Sequence, residues 1–318
     1  MWFYAARRIV LTIPIALGVT IICFALVYIA PGDPIASLLP PNATASDIAL
    51  LKHSYGLDRP IPIQYLIWLG HALTGNLGRS IQNSQPVAGE VLRALSNTLL
   101  IAILAVLVAF SIALVLGMLA AYRVGSWVDR LATGISVLGI SVPSFWLGVV
   151  LVILFAVKLH WLPATGMGTS GSESFSLFEW KQAKFAILPV VTMALTPLSI
   201  IMRTTRSSLA EVLGQDFVQT LRAKGLGEIA IMRHAIWNAM PQILAMLGLQ
   251  LGYLLGGSIL IETIFTWPGT GYLLNKAILT RDIPLLQGAI LILAMAFVAI
   301  NLVVDLLQTV VDPRIKRA

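Results

Sequence analysis

Charge is scarce in this chain. Asp, Glu, Lys and Arg make up 11% of its 318 residues, against about 25% in soluble domains. So little charge cannot solvate a globular surface of this size. There is one cysteine, Cys23, inside an apolar run. No intrachain disulfide and no cysteine metal cluster can form. The four histidines, His53, His71, His160 and His234, are spread over three loops and form no His-Glu-x-x-His pattern. A phosphate-cradling Gly-x-x-x-x-Gly-Lys-Ser/Thr loop is missing, so nucleotide hydrolysis by that device is excluded. So is Gly-x-Ser-x-Gly, which argues against a hydrolase nucleophile elbow. Gly168-Thr-Ser170-Gly171 reads as a flexible external turn. Ser144 and Ser258 have no base at motif spacing and read as hydroxyls bonding their own helix backbone.

What is abundant is apolar. Hydrophobic residues make up 58% of the chain, and mean hydropathy is +0.89. A membrane span needs about 20 largely apolar residues to cross about 30 Å of hydrocarbon. Six segments qualify: Ile9–Ile29, Asn97–Ala121, Thr133–Val157, Phe185–Met202, Gln242–Ile264 and Gln287–Val311. They lack the alternation of barrel strands, so an all-α integral membrane protein follows. The fourth span is the shortest and holds Pro189 and Pro197, which predicts a kink. The first apolar run exceeds the 7–15 residues of a signal-peptide core and reads as a retained span.

The net charge of +7 does not point to nucleic acid, because the basic residues form no single patch. They sort by side of the membrane. With the N-terminus inside, 12 of the 21 Lys and Arg fall in inside segments: Arg7, Arg8, Arg123, Arg130, Arg203, Arg206, Arg222, Lys224, Arg233, Arg314, Lys316 and Arg317. The other nine lie in longer external loops, which translocate largely regardless of charge. Both termini are therefore expected in the cytoplasm. The long external segment 30–96 has turn chemistry at Pro31–Pro34 and Pro40–Asn42 and an apolar periodic piece at Ile61–Leu73. A small external helical subdomain or cap is expected there.

Acids inside spans are functional flags. Asp305 shares a helical face with Asn301 near the cytoplasmic end; interfacial hydration, a local polar contact and ion relay are all open readings. Glu262 is expected at the outer interface. Gly248, Gly252 and Gly256 line one face of the fifth span. That face serves close packing within the chain, packing against a partner subunit, or a pathway for solute.

The polar island Arg203–Met240 interrupts two apolar runs. Ser207–Leu213 and Phe217–Ala223 read as short helices, broken at Gly214 and Gly225. Asp216 is placed to cap the second, with Arg222 and Lys224 at its C-terminal end, where cations are favoured.

Here the chain resembles a known family. Leu221-Arg-Ala-Lys-Gly225-Leu, followed by Arg233-His-Ala-Ile-Trp-Asn238-Ala-Met-Pro241, is similar to the cytoplasmic coupling loop of bacterial ABC importer permeases of the dipeptide/oligopeptide/nickel group. Further pieces agree in order: Arg7-Arg8, Pro31-Gly-Asp-Pro34, Tyr55-Gly-Leu-Asp58-Arg-Pro60 with Gln64-Tyr65, and Gly75-Asn-Leu-Gly78-Arg-Ser80. After these come Ser141-Val-Pro143-Ser-Phe145, Trp161-Leu-Pro163-Ala-Thr-Gly166, Glu262-Thr-Ile-Phe265-Thr-Trp-Pro268-Gly-Thr-Gly271, Arg281-Asp282-Ile-Pro284 and Asp312-Pro-Arg314.

The resemblance covers essentially the whole chain. It implies a type I importer permease fold, with this chain as one of two different permease subunits. Two cytoplasmic ATPase subunits would carry ATP and Mg, and an external solute-binding protein would deliver substrate. No cofactor is implied for this chain, nor any catalytic activity. Docking on an ATPase is implied for Gln219, Arg222, Ala223, Lys224 and Gly225. Gln219, Thr220 and Leu221 stand where the wider family has Glu-Ala-Ala, so the acidic contact does not carry over, and the proline comes later, at Pro241. Small peptides are the implied cargo, with nickel chelates, glutathione or another small solute as alternatives. A secondary transporter would show an inverted repeat and mid-membrane ion ligands. The unequal loops and sparse acids argue against it, as the missing motifs argue against an intramembrane enzyme.

Overall fold

The computed structural model describes residues 2–29, 44, 58–168 and 175–311. The turns expected at 31–34 and 40–42, the segment 55–57, the serine turn at 169–171 and the terminal 312–314 lie outside the described residues. Eleven α-helices are described: α1 Trp2–Ile29, α2 Ile61–Leu73, α3 Val87–Tyr122, α4 Trp127–Ser141, α5 Ser144–Leu151, α6 Trp180–Leu213, α7 Asp216–Ala223, α8 Glu228–Gly257, α9 Ile259–Ile264, α10 Thr270–Leu279 and α11 Ile283–Val311. α5 continues directly into a π-helical stretch, Val152–Lys158.

Among the described residues, five helices are long and apolar enough to cross a membrane, and the bent pair formed by α4 and the α5–π segment makes a sixth span. That third span is not the single rod expected over Thr133–Val157. It bends by 96° at Val142-Pro143. Proline has no N–H, and its ring drives the preceding residue out of the helical region; Val142 accordingly sits at φ −80°, ψ 121°. The fifth span is also interrupted, at Ser258 between α8 and α9.

The fourth span departs from expectation the other way. It is not short: α6 has 34 residues and runs unbroken through Pro189 and Pro197. Prolines persist in membrane helices where neighbouring groups re-satisfy the freed backbone. The carbonyls freed here are those of Phe185 and Met193; the hydroxyls of Thr192 and Ser199 bond other carbonyls of the same helix, Leu188 at 2.7 Å and Leu195 at 2.9 Å.

α6 pairs most extensively with α3, through small residues. Ala102, Ala105, Ala109, Ala113 and Gly117 recur at three- and four-residue intervals on the buried face of α3. A methyl on Gly117 would lie 2.7 Å from Thr205 Cβ. Lipid offers no hydrophobic incentive for helices to associate, so such close backbone approach supplies the packing energy. One core layer joins α3, α6 and α8 towards the Lys- and Arg-rich end, hereafter the inner end. Another gathers α3, α6, Phe265 and Trp267 towards the opposite end.

At that outer end the fold is tied by Glu262, which is not at an interface but fully buried. Its Oε1 accepts from Thr98 Oγ1 at 2.7 Å, and its Oε2 from the amides of Gly271 at 2.7 Å and Tyr272 at 3.0 Å. Those amides open α10, where a carboxylate also complements the helix dipole. Thr98 Oγ1 accepts from the Thr270 amide at 2.8 Å. Trp267 Nε1 donates to the Asn97 carbonyl at 3.0 Å, and Asn97 Nδ2 to that of Pro268 at 2.8 Å. A Cβ on Gly271 would fall 2.6 Å from Ile259 Cα, so only glycine permits this approach of backbones. Nearby, Asp282 precedes α11, accepts from the Leu285 amide at 3.2 Å, and takes the Ser80 hydroxyl at 2.5 Å.

Replacing Glu262 by Ala would leave the Gly271 and Tyr272 amides without their acceptor, at about 1–3 kcal/mol for each, and the Thr98 hydroxyl with Thr270 Oγ1 as its remaining side-chain partner. Glu262→Ala is expected to lower the midpoint of thermal unfolding in detergent sharply. Glu262→Gln, which keeps one acceptor oxygen, is expected to lower it less. Equal midpoints for all three proteins would remove the network from its structural role.

Candidate functional site

The polar island folds differently from two isolated short helices. Ser207–Leu213 is the end of α6, and residues from Glu228 onward already belong to α8. Both spanning helices therefore extend beyond the bilayer, and only α7 stands alone between them. Gly214 closes α6 with ordinary helical angles. Asp216 is the first residue of α7 and makes no capping hydrogen bond; Gln215 holds the cap position, also without one. The carboxylate acts on the helix dipole instead.

The far end of α7 is firmly closed. Gly225 lies at φ +78°. Its amide donates to the Arg222 carbonyl at 2.9 Å, and that of Leu226 to Leu221 at 3.2 Å. This pair of bonds around a left-handed glycine is a Schellman cap. Arg222 then reaches across the turn to Glu228, with Nε–Oε1 at 3.1 Å and Nη2–Oε2 at 3.4 Å. The carboxylate raises the already high pKa of the guanidinium. The pair is about half exposed, so its contribution to stability is small; it fixes the direction of the side chain.

α7 has two faces. Val218 is fully buried, with Phe217 packed against the inner core layer. Gln219, Arg222, Ala223, Lys224 and Gly225 are all exposed. The five residues singled out from the sequence thus form one solvent-facing strip. On α8, Ile229, Met232, Arg233, Ile236 and Trp237 line an apolar groove of about 320 Å³.

The base of α7 is braced from both sides by residues that the sequence reading did not single out. Arg206 on α6 forms a bidentate pair with Asp129 on α4, Nη2 reaching Oδ2 at 2.8 Å and Nε donating to Oδ1. Asp129 also accepts from the Gly125 amide at 2.9 Å. Ser208 Oγ donates to Gln242 Oε1 on α8 at 2.8 Å. One available signal was Ser126-Trp-Val-Asp129, a capping-box spacing that places the acid at the start of a helix; Ser126 does cap α4.

The glycine face resolves into two parts. A Cβ on Gly248 would overlap the Val304 side chain, and one on Gly252 would come within 2.8 Å of Phe297, so these two glycines serve packing on α11. Gly256 faces open space. Asp305 pairs with Arg8 on α1 at 2.7 Å, which makes it a local polar contact.

Comparison with known proteins follows the same lines. The model of the family described as "Binding-protein-dependent transport system inner membrane component" matches residues 113–317, and that of its N-terminal region matches residues 1–102. The chain is 40% identical to the dipeptide transport system permease protein DppB of Alkalihalophilus pseudofirmus, over 99% of this chain and 100% of that one. It is 37% identical to the glutathione transport system permease protein GsiC of Salmonella typhimurium, over 98% of each. It is 36% identical to the oligopeptide transport system permease protein AppB of Bacillus subtilis, over 98% of this chain and 99% of the relative. A chain from the MetNI methionine ABC transporter in inward-facing conformations superposes with a TM-score of 0.57 at 18% identity, over 70% of this chain and 96% of that one.

Substituting Gly248 or Gly252 by Ala is expected to destabilise the detergent-solubilised chain by about 1–3 kcal/mol through overpacking. Gly256→Ala is expected to leave it within about 0.5 kcal/mol. Parallel denaturation curves for the three variants check this, and equal shifts at all three positions would contradict it.

Proposed function

The chain belongs to the inner membrane component family of binding-protein-dependent transport systems, and from the geometry of its inner end we propose that α7 is the element through which ATP hydrolysis on other subunits drives transport. The protein is a multi-pass permease subunit of the inner membrane, in a family of permeases. The finer reading supplies the remaining parts. A second, homologous permease subunit completes the pathway. Two cytoplasmic ATPase subunits hold ATP and Mg, and an external solute-binding protein delivers the cargo. Both termini and α7 face the cytoplasm.

One observation carries this reading. α7 is a short, capped unit whose inward residues Phe217 and Val218 pack in the core and whose outward strip is exposed, with Arg222 paired to Glu228 across the turn. It is joined directly to two spanning helices, so a push on Lys224 or Gly225 is delivered to α6 and α8 without a flexible linker to absorb it. The exposed strip carries Arg222 and Lys224 and, with Gln219 in the acidic position, no negative charge of its own. That charge suits an acidic or polar cleft on a partner.

Small peptides are the proposed cargo, supported by relatives named for dipeptide and oligopeptide transport. Glutathione, the cargo named for another relative, is itself a small peptide. Ion-coupled transport is disfavoured because the carboxylates available for it are engaged: Glu262 by Thr98 and two amides, Asp305 by Arg8, and Asp129 by Arg206.

Reversing both cations, Arg222→Glu with Lys224→Glu, is expected to cut ATP-driven uptake by about tenfold or more, equivalent to about 1.4 kcal/mol of docking free energy. Recovery of the ATPase subunits with the solubilised permease is expected to fall in parallel. Glu228→Gln, which removes only the partner of Arg222, is expected to leave uptake near its original level. Undiminished uptake and ATPase recovery in the double reversal would refute the docking role. Thermal-shift screening of the cognate external binding protein against peptides, glutathione and nickel chelates tests the cargo separately.

A further inference from the structure

α2 lies within the long segment that the sequence places outside the membrane, yet its surroundings point elsewhere. The helix runs Ile-Pro-Ile-Gln-Tyr-Leu-Ile-Trp-Leu-Gly-His-Ala-Leu and contains no Asp, Glu, Lys or Arg. Pro62, Ile63, Leu66, Gly70 and Leu73 fall on one side of it, and all five are exposed. Leu66 is 63% exposed and Leu73 80%. A helix resting on a protein in water turns its polar residues outward; here the exposed polar residue is His71, near the C-terminal end and off this side, and the side itself carries none.

Its other side packs on α1. Tyr65 and Trp68 form a ring cluster with Phe24, with centroids 5.5 and 5.8 Å away. The Tyr65 hydroxyl lies 2.8 Å from Thr20 Oγ1. Thr20 can be placed by depth from both ends. Arg8, paired with Asp305, marks the inner boundary. Twelve residues of helix rise about 18 Å, which leaves about 12 Å of a 30 Å hydrocarbon layer above Thr20. Tilt of α1 would place Thr20 nearer still to the mid-plane. From the other end, Gln287 Nε2 donates to the Cys23 carbonyl. Gln287 lies five residues inward of Asp282, next to the exposed Arg281. Thr20 lies nearly one turn deeper than Cys23, which again gives about 12 Å below the outer surface. The Tyr65 hydroxyl therefore lies at about the depth of Thr20, within the hydrocarbon layer.

We propose that α2 is a re-entrant helix seated in the outer leaflet against α1, and that lipid acyl chains cover its Ile63–Leu66–Leu73 face. α1, on which α2 packs, itself presents a lipid-compatible surface: Ile13, Leu17 and Ile21 are about half exposed. The same lack of charge argues against an external protein as the occupant, since a water-soluble partner would have to desolvate a bare apolar strip that is already below the headgroups.

The test is nitroxide scanning of the full chain, assembled with its partner subunits in phosphatidylcholine–phosphatidylglycerol vesicles. Single cysteines replace Ile63 and Leu66, with Ile13→Cys as a lipid reference and Asn83→Cys as an aqueous one. Cys23 is 2% exposed, and both the native and Cys23→Ser backgrounds are labelled. Labels at 63 and 66 are expected to match position 13, colliding several-fold more often with oxygen than with a water-soluble nickel chelate. A ratio matching position 83 would overturn the proposal. Low accessibility to both reagents would also overturn it, by showing that protein covers the face. A nickel-chelate signal that disappears only when the external binding protein is added would do so as well, by identifying that protein as the occupant.

Discussion

Glu262 is a carboxylate without solvent contact, tolerated only because Thr98 and the first amides of α10 converge on it. Much of the outer half of the molecule follows from that requirement. α3 must present Thr98 at the right level. The chain after α9 must turn tightly enough to bring Gly271 and Tyr272 back over the acid, and Gly271 must be glycine to let it pass Ile259. Trp267 and Phe265 are then buried beneath the turn, and Gly148 of α5 meets the Phe265 ring, so the bend at Pro143 rests on the same assembly. A buried carboxylate with its donors in place specifies one arrangement, because losing any donor leaves a costly unpaired group.

The inner end is organised by continuity. α6 and α8 project past the bilayer and hand over to α7 with one short turn on each side. The Arg206–Asp129 pair and the Ser208–Gln242 bond hold those projections to α4 and to each other. α7 is therefore mounted on a frame that includes the bent third span. Movement imposed on the exposed strip has a stiff route to that bend and, through α5, to the Glu262 assembly at the outer end.

Much of this was legible in the sequence, and the failures have physical reasons. Six spans emerged because apolar runs of span length have few other uses. The helix at Ile61–Leu73 matched the apolar piece seen there. Helix ends were less legible: the polar ends of α6 and α8 look like loop on hydropathy, yet they are continuous helix once braced by neighbours. Pro189 and Pro197 suggested a weak span and proved compatible with a long one, whereas Pro143 marked a true break, because there the residue before it leaves the helical region. The strip on α7 was found through the resemblance, not through composition. Glu262 and Asp129 were missed as structural residues because their donors lie far away in sequence, on Thr98 and Arg206, and nothing in a single chain of letters announces such pairs.

Site-specific photo-crosslinking from Gln219 and from Lys224 in cells tests the central claim, that energy enters through α7. The account predicts adducts at the combined mass of this chain and an ATPase subunit from both positions, and none from Asn83 at the opposite end. Failure of both positions to reach an ATPase subunit while the assembled transporter remains active would contradict it.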